Sequence, residues 1–169
     1  PISANAGSDK LPYGAVSSSQ NQYITTASPI TFNSEDFNNG VYLSSNKMYF
    51  RNAGNYNLQF SLQFANTDSQ IQEATVWLRK NGTDLAGTGS RYDVPSTHGS
   101  SDGYLIAVCN FLVEVTTPGD YFEVVFAVEQ ANIISPAQLG VYIEAYVAST
   151  SPFTMPAIPS SVVTVTPVA

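Results

Sequence analysis

From Gly54 to Phe64 apolar and polar side chains alternate without interruption. Tyr56, Leu58, Phe60, Leu62 and Phe64 share one face, and Asn57, Gln59, Ser61 and Gln63 share the other. Successive side chains of a strand point to opposite faces, so this period of two predicts a half-buried β-strand. Further long strands are predicted over 73–80, 104–115, 121–129, 140–148 and 161–166. Shorter ones are predicted over 13–18, 22–26, 30–32, 41–43 and 47–51. Asn38-Asn39-Gly40, Ser44-Ser45-Asn46, Asn81-Gly82, Pro118-Gly119-Asp120 and Ser151-Pro152 punctuate them as turns. Nowhere do apolar residues recur at i, i+3, i+4 and i+7 over a helix length. Ten prolines and eleven glycines spread through the chain also argue against helices. The expectation is an all-β sandwich or barrel over residues 13–169, preceded by a small polar arm at 1–12. Gly87 to Gly103 reads as a long loop, with a brief strand at Tyr92 to Val94.

Several strands carry apolar residues on both faces. Leu105, Ala107, Cys109, Phe111, Val113 and Val115 form one face of their strand and suit a core. The opposite face holds Tyr104, Ile106, Val108 and Leu112 beside Asn110 and Glu114. Tyr121 and Val125 oppose the Phe122, Val124, Phe126 and Val128 face. Tyr142 and Tyr146 oppose Val141, Ile143, Ala145 and Val147, and Trp77 points away from Val76 and Leu78. Monomers rarely expose a large apolar, tyrosine-rich surface, and aromatic enrichment with few charges marks the centre of interfaces. The expected oligomer interface is therefore Trp77, Tyr104, Ile106, Val108, Leu112, Tyr121, Val125, Tyr142 and Tyr146, closing a ring such as a homotrimer. The outer face of 56–64 is wholly polar and is expected in a more solvated part of the sandwich.

Composition narrows the function classes. The 169 residues suit one domain with a sizeable core. Only 11% are charged, against roughly 25% in typical soluble domains, so Ser, Thr, Asn and Gln must supply the polar surface. With 13 acidic and 6 scattered basic residues the net charge is −7. No basic stripe is available for phosphates or an anionic membrane, so no nucleic acid and no membrane insertion are expected. No uninterrupted apolar window is long enough to span a bilayer as a helix.

Candidate chemistry is sparse. The single cysteine, Cys109, can form neither an intrachain disulfide nor a zinc site by itself. Its place in an apolar strand predicts a structural thiol. His98, the one histidine, lies near serines and Asp102, yet no nucleophile elbow accompanies it. Asp84, Asp93 and Asp102 lack the spacing of a compact calcium loop. Glu123, Glu129 and Glu144 could pair for glycoside hydrolysis, but strand-face positions suit rim contacts better. Asn81-Gly82-Thr83 matches a glycosylation sequon but is first of all a turn. No catalytic residue, metal or cofactor is expected.

Three motifs carry a family resemblance. Gly54-x-Tyr56 opens a long alternating strand. Val76-Trp77-Leu78-Arg79-Lys80-Asn81-Gly82 is a strand running into an Asn-Gly turn. Leu112 through Gly119-Asp120-Tyr121-Phe122-Glu123-Val124 is similar to a leucine, Gly-Asp, alternating-strand signature. Together they resemble the trimeric jelly rolls of the tumour-necrosis-factor and complement-globular-head type. More narrowly, residues 30–168 resemble virion proteins of tailed bacteriophages. The stretch Phe50 to Ser61, the Trp-Leu-Arg-Lys-Asn-Gly string and Pro156-Ala157-Ile158-Pro159-Ser160 before a valine-rich strand carry that likeness.

The resemblance implies an all-β, two-sheet jelly-roll sandwich of TNF-like type, forming a homotrimer at the phage particle surface and made in the host cytoplasm. Its function would be capsid decoration, with the major capsid protein or other virion proteins as partners. Pro1, Ile2, Leu11 and Tyr13, with the 13–19 edge, would dock on the capsid by strand addition or an ordering arm. The alternative is a head-fibre or tail-fibre module that binds host surface glycans, with Tyr92 and the Gly87–Gly103 loop as its candidate site.

Overall fold

The computed structural model describes residues 11–133 and 137–168. Among them there is no helix, and thirteen strands build two antiparallel sheets. Sheet one runs in the order β10 (Gly103–Val115), β6 (Gly54–Asn66), β13 (Ser161–Pro167), β1 (Tyr13–Ser18) and β3 (Ser34–Asn39). A three-residue β12 (Val141–Ile143) takes over from β13 along β6, pairing Asn66, Ala65 and Phe64. Sheet two runs β4 (Val41–Ser44), β5 (Lys47–Phe50), β11 (Tyr121–Val128), β7 (Gln72–Lys80) and β8 (Thr83–Asp84). Here β2 (Ser28–Pro29) also pairs with β11, and β9 (Ser90–Val94) with β7. Neighbours far apart in sequence lie side by side, as in a jelly roll.

The inward faces are those that the alternation predicts. From sheet one, Tyr56, Leu58, Phe60, Leu62, Phe64, Val163 and Val165 are buried; from sheet two, Val76, Leu78, Phe122, Val124 and Phe126. Aromatic rings meet across the gap: Phe50 and Tyr56 stand edge to face at 4.8 Å between centroids, and Phe64 lies 6.2 Å from Phe126. Each such side chain contributes about 1.5–3 kcal/mol by leaving water, so the sandwich rests on this double layer. The turns at Ser45-Asn46 and Asn81-Gly82 hold both central residues at positive φ, the geometry that matches the twist of two-residue hairpins.

Four strand expectations differ from the structure. Residues 22–26 form no strand; only Gln22 bridges Ile143. Gln22 is buried, and its side chain replaces a ladder, accepting from the Thr31 N–H at 2.8 Å and donating to the Thr31 carbonyl at 3.0 Å. The strand expected at 30–32 lies instead at Ser28–Pro29, against Val125 and Phe126. The strand expected over 140–148 stops at Ile143, beyond which the chain turns away as a flap. Finally, β3 was hidden because Ser34-Glu35-Asp36-Phe37-Asn38-Asn39 has no alternation. None of its residues is buried, so neither face requires apolar side chains.

Candidate functional site

The expected interface residues divide between two opposite outer faces. Trp77, Tyr121 and Val125 lie on sheet two, where Val125 pairs with Trp77. Val125 is fully buried within the single chain, and in the sheet it sits between Pro29 of β2 and Trp77 of β7. Trp77 is half-buried, and its Nε1 has no hydrogen bond of good geometry, although it helps hold the Asp84 carboxyl below its ordinary range after the stronger effect of Arg79. Tyr121 belongs to a tyrosine row: Tyr42 and Tyr49 stack at 5.5 Å, and Tyr49 and Tyr121 lie 5.3 Å apart. Lys47 and Arg51 sit over this row, 4.4 Å from the Tyr121 ring centre and 4.6 Å from that of Tyr42. Cations thus cover these rings within the chain. Of the expected contact residues on sheet two, Val125 is thus buried within the chain, while Trp77 and Tyr121 stay partly exposed.

On sheet one the picture differs. Tyr104, Ile106, Val108 and Leu112 are 55%, 60%, 62% and 75% exposed. They stand in a row on β10, the last strand of its sheet, which pairs only with β6 among the described residues. Directly opposite them, β6 presents Gln63, Ser61 and Asn57 facing Ile106, Val108 and Leu112. The polar face of β6 is therefore not remote from the apolar row, as the sequence suggested, but runs beside it. Tyr142 does not join this surface: it is buried, its ring stacked on Tyr23 at 5.0 Å, and its hydroxyl donates to Glu144 Oε1 at 2.8 Å. Burial, reinforced by the Glu144 charge, raises the Tyr142 pKa strongly. Tyr146 is 43% exposed and lies on the flap beyond β12.

The flap is a loose hairpin closed by backbone bridges between Tyr146 and Ile158 and between Ser149 and Met155. With the start of β10 and the end of β6 it encloses an open cleft of about 580 Å³. Tyr104, Ile106, Tyr146, Phe153, Gln63 and Glu144 line it. Sequence reasoning placed Tyr104, Ile106 and Tyr146 at the surface but missed the cleft, because Phe153 reaches it only through the turn at Ser151-Pro152.

The proposed docking edge is also redrawn. Pro1 and Ile2 lie outside the described residues. Leu11 and Tyr13 are exposed, but β1 is paired on both sides, with β13 and β3. Strand addition at residues 13–18 is thus blocked, and β3 is the edge. Tyr92 is half-buried against the core, its hydroxyl pointing at the Val108 carbonyl, so the Gly87–Gly103 segment offers no open aromatic there.

His98 is exposed in a tight Ser101 bridge, and Cys109 is half-buried against the core, 3.8 Å from Ser90 Oγ. Asp84 pairs with Arg79 at 2.7 Å, and Glu73 with Arg91, which holds the Glu73 carboxyl below its ordinary range. Among the described residues no three His, Cys, Asp or Glu side chains gather as a metal site would need.

No protein-family model and no curated protein matches the chain. Among solved structures, the globular domain of the zebrafish complement 1qA protein is similar over 95% of this chain and 98% of its own, with a TM-score of 0.52 at 10% identity. The chain therefore has the complement-globular-head, TNF-like jelly roll; at that identity the likeness concerns the fold alone.

Proposed function

We propose that the protein is a non-catalytic assembly module that closes into a homotrimer through the outer face of sheet one and decorates a tailed-phage capsid. The observation that carries the assembly is the row Tyr104, Ile106, Val108 and Leu112. Full burial of such side chains contributes about 1.5–3 kcal/mol each. Scaled by exposures of 55% to 75%, the row offers roughly 4–8 kcal/mol per copy before the cost of association. The β6 amides beside it supply donors and acceptors for the polar part of such a contact. Among the described residues no strand pairs with the outer side of β10, an edge that folded proteins cover or blunt, and an adjoining copy covers it.

Three copies and a virion location rest on the motifs around Gly54-x-Tyr56, Trp77 to Gly82 and Pro156 to Ser160. The major capsid protein or another virion protein is then the partner, met by Leu11, Tyr13 and the segment before them. Cryo-microscopy of particles lacking this protein tests the location. The account expects density lost at capsid three-fold positions; unchanged density there contradicts it.

A further inference from the structure

The cleft under the flap meets the assembly row at Tyr104 and Ile106, and its chemistry is distinctive. Its volume of about 580 Å³ falls in the range of small-ligand sites. Tyr104, Tyr146 and Phe153 present partly exposed rings, and Ile106 extends the apolar floor. Two planar polar groups stand within this wall. Glu144 and Gln63 are cross-strand neighbours, joined by the Glu144 N–H to Gln63 carbonyl bond of 2.8 Å. The buried Tyr142 hydroxyl fixes Glu144 Oε1, which leaves Oε2 without a partner among the described residues. The Gln63 carboxamide likewise makes no side-chain hydrogen bond among them.

We propose that this cleft binds a neutral saccharide ring. A pyranose has an apolar C–H face that packs on aromatic rings and an equatorial belt of hydroxyls that donate to a carboxylate and exchange hydrogen bonds with an amide. A purely apolar ligand would leave Glu144 and Gln63 desolvated and unpaired, which disfavours it. No lysine or arginine lines the cleft, and the chain carries −7 overall, so an acidic sugar is repelled. The Tyr142 bond and the Tyr23 stack hold Glu144 in place before any ligand arrives, which lowers the ordering cost of binding. Every residue of the site comes from one chain: Gln63, Glu144, Tyr146 and Phe153 lie outside the assembly row, while Tyr104 and Ile106 belong to both.

The test is a glycan array carrying neutral and sialylated oligosaccharides, probed with the full chain and followed by saturation-transfer NMR with the methyl glycosides that score. Two variants accompany it: Glu144→Gln, which keeps an acceptor for Tyr142, and Phe153→Ala at an exposed flap tip that bears no fold. The expected result is binding to neutral, not sialylated, glycans, weakened at least about tenfold in each variant. Light-scattering mass stays unchanged in both variants. Silence of the wild type on every glycan, or binding indifferent to both substitutions, overturns the proposal. A mass change in either variant also overturns it, since it assigns the cleft to side chains of a neighbouring copy. The first two failures leave the assembly reading untouched.

Discussion

Asp120, at the turn between β10 and β11, is a buried carboxylate on which two hairpins depend. Its Oδ2 accepts from the Thr116 N–H at 3.0 Å, the Thr117 N–H at 3.1 Å and the Thr116 hydroxyl at 3.2 Å, and pairs with Lys80 Nζ at 3.0 Å. Its Oδ1 accepts from Asn81 Nδ2 at 2.8 Å, while Asn81 Oδ1 accepts from the Tyr121 N–H at 2.9 Å. In Asp120→Asn the new oxygen can serve the threonines, but the new amide then faces the Asn81 amide, donor to donor. Asn81 cannot turn over without abandoning Tyr121. A hydrogen bond to a charged group contributes about 1.5–3 kcal/mol, and the half-buried Lys80 pair adds about 1, so the substitution should cost about 3 kcal/mol. At 2–4 °C per kcal/mol for a domain of this size, Tm should fall by about 6–12 °C, read at one protein concentration.

The pH dependence follows from the Asn81, Lys80 and threonine donors, which hold the Asp120 carboxyl well below the usual carboxylate range. A group lowered on folding contributes its full stability above its unfolded value of about 4, and loses it as pH falls toward the lower folded value. The gap between wild type and Asp120→Asn in urea midpoint should therefore be constant above about pH 5 and shrink below pH 4. A loss under about 1 kcal/mol, or a gap that ignores pH, refutes the reasoning.

Two further substitutions probe the fold and the expectation that His98 has no catalytic role. A Cβ at Gly103 would lie 1.9 Å from the Pro95 carbonyl oxygen, so Gly103→Ala should cost about 3 kcal/mol by thermal or urea unfolding. His98 is exposed and only its backbone bridges Ser101, so His98→Ala should stay within about 0.5 kcal/mol of wild type and leave particle binding unchanged.

The strands that fill the core were legible from the strict alternation of β6 and from apolar strand runs bounded by turn residues: β1, β6, β7, β10, β11 and β13 lie within a residue or two of their expected bounds. What failed was the assignment of outer faces. Val125 and Tyr142 read as exposed apolar residues, yet both are buried: Val125 within the sheet beside Pro29, and Tyr142 against the ring of Tyr23, both partners lying some hundred residues away in the chain. Period two reports which residues share a face but not what lies above that face. The row on β10 was legible because it belongs to an outermost strand and stays more than half exposed in the single chain. The cleft was not, because it needs the flap to fold back, and only the Tyr146–Ile158 and Ser149–Met155 bridges record that. Glu144 was singled out as a carboxylate on a mixed face, while Gln63, its cross-strand neighbour, had no signal beyond the polar side of an alternating strand.

The most direct test of assembly through the β10 row is solution mass by multi-angle light scattering at micromolar concentration, for the wild type and for Leu112→Asp. Leu112 is 75% exposed in the single chain, so the substitution costs the fold little, but within a closed contact it places a charge among apolar side chains. The account predicts a wild-type mass of three 18.1 kDa chains, about 54 kDa, and a Leu112→Asp mass near one chain with unchanged thermal cooperativity of the folded monomer. A wild type of 18.1 kDa, or a trimer whose mass Leu112→Asp does not change, contradicts it.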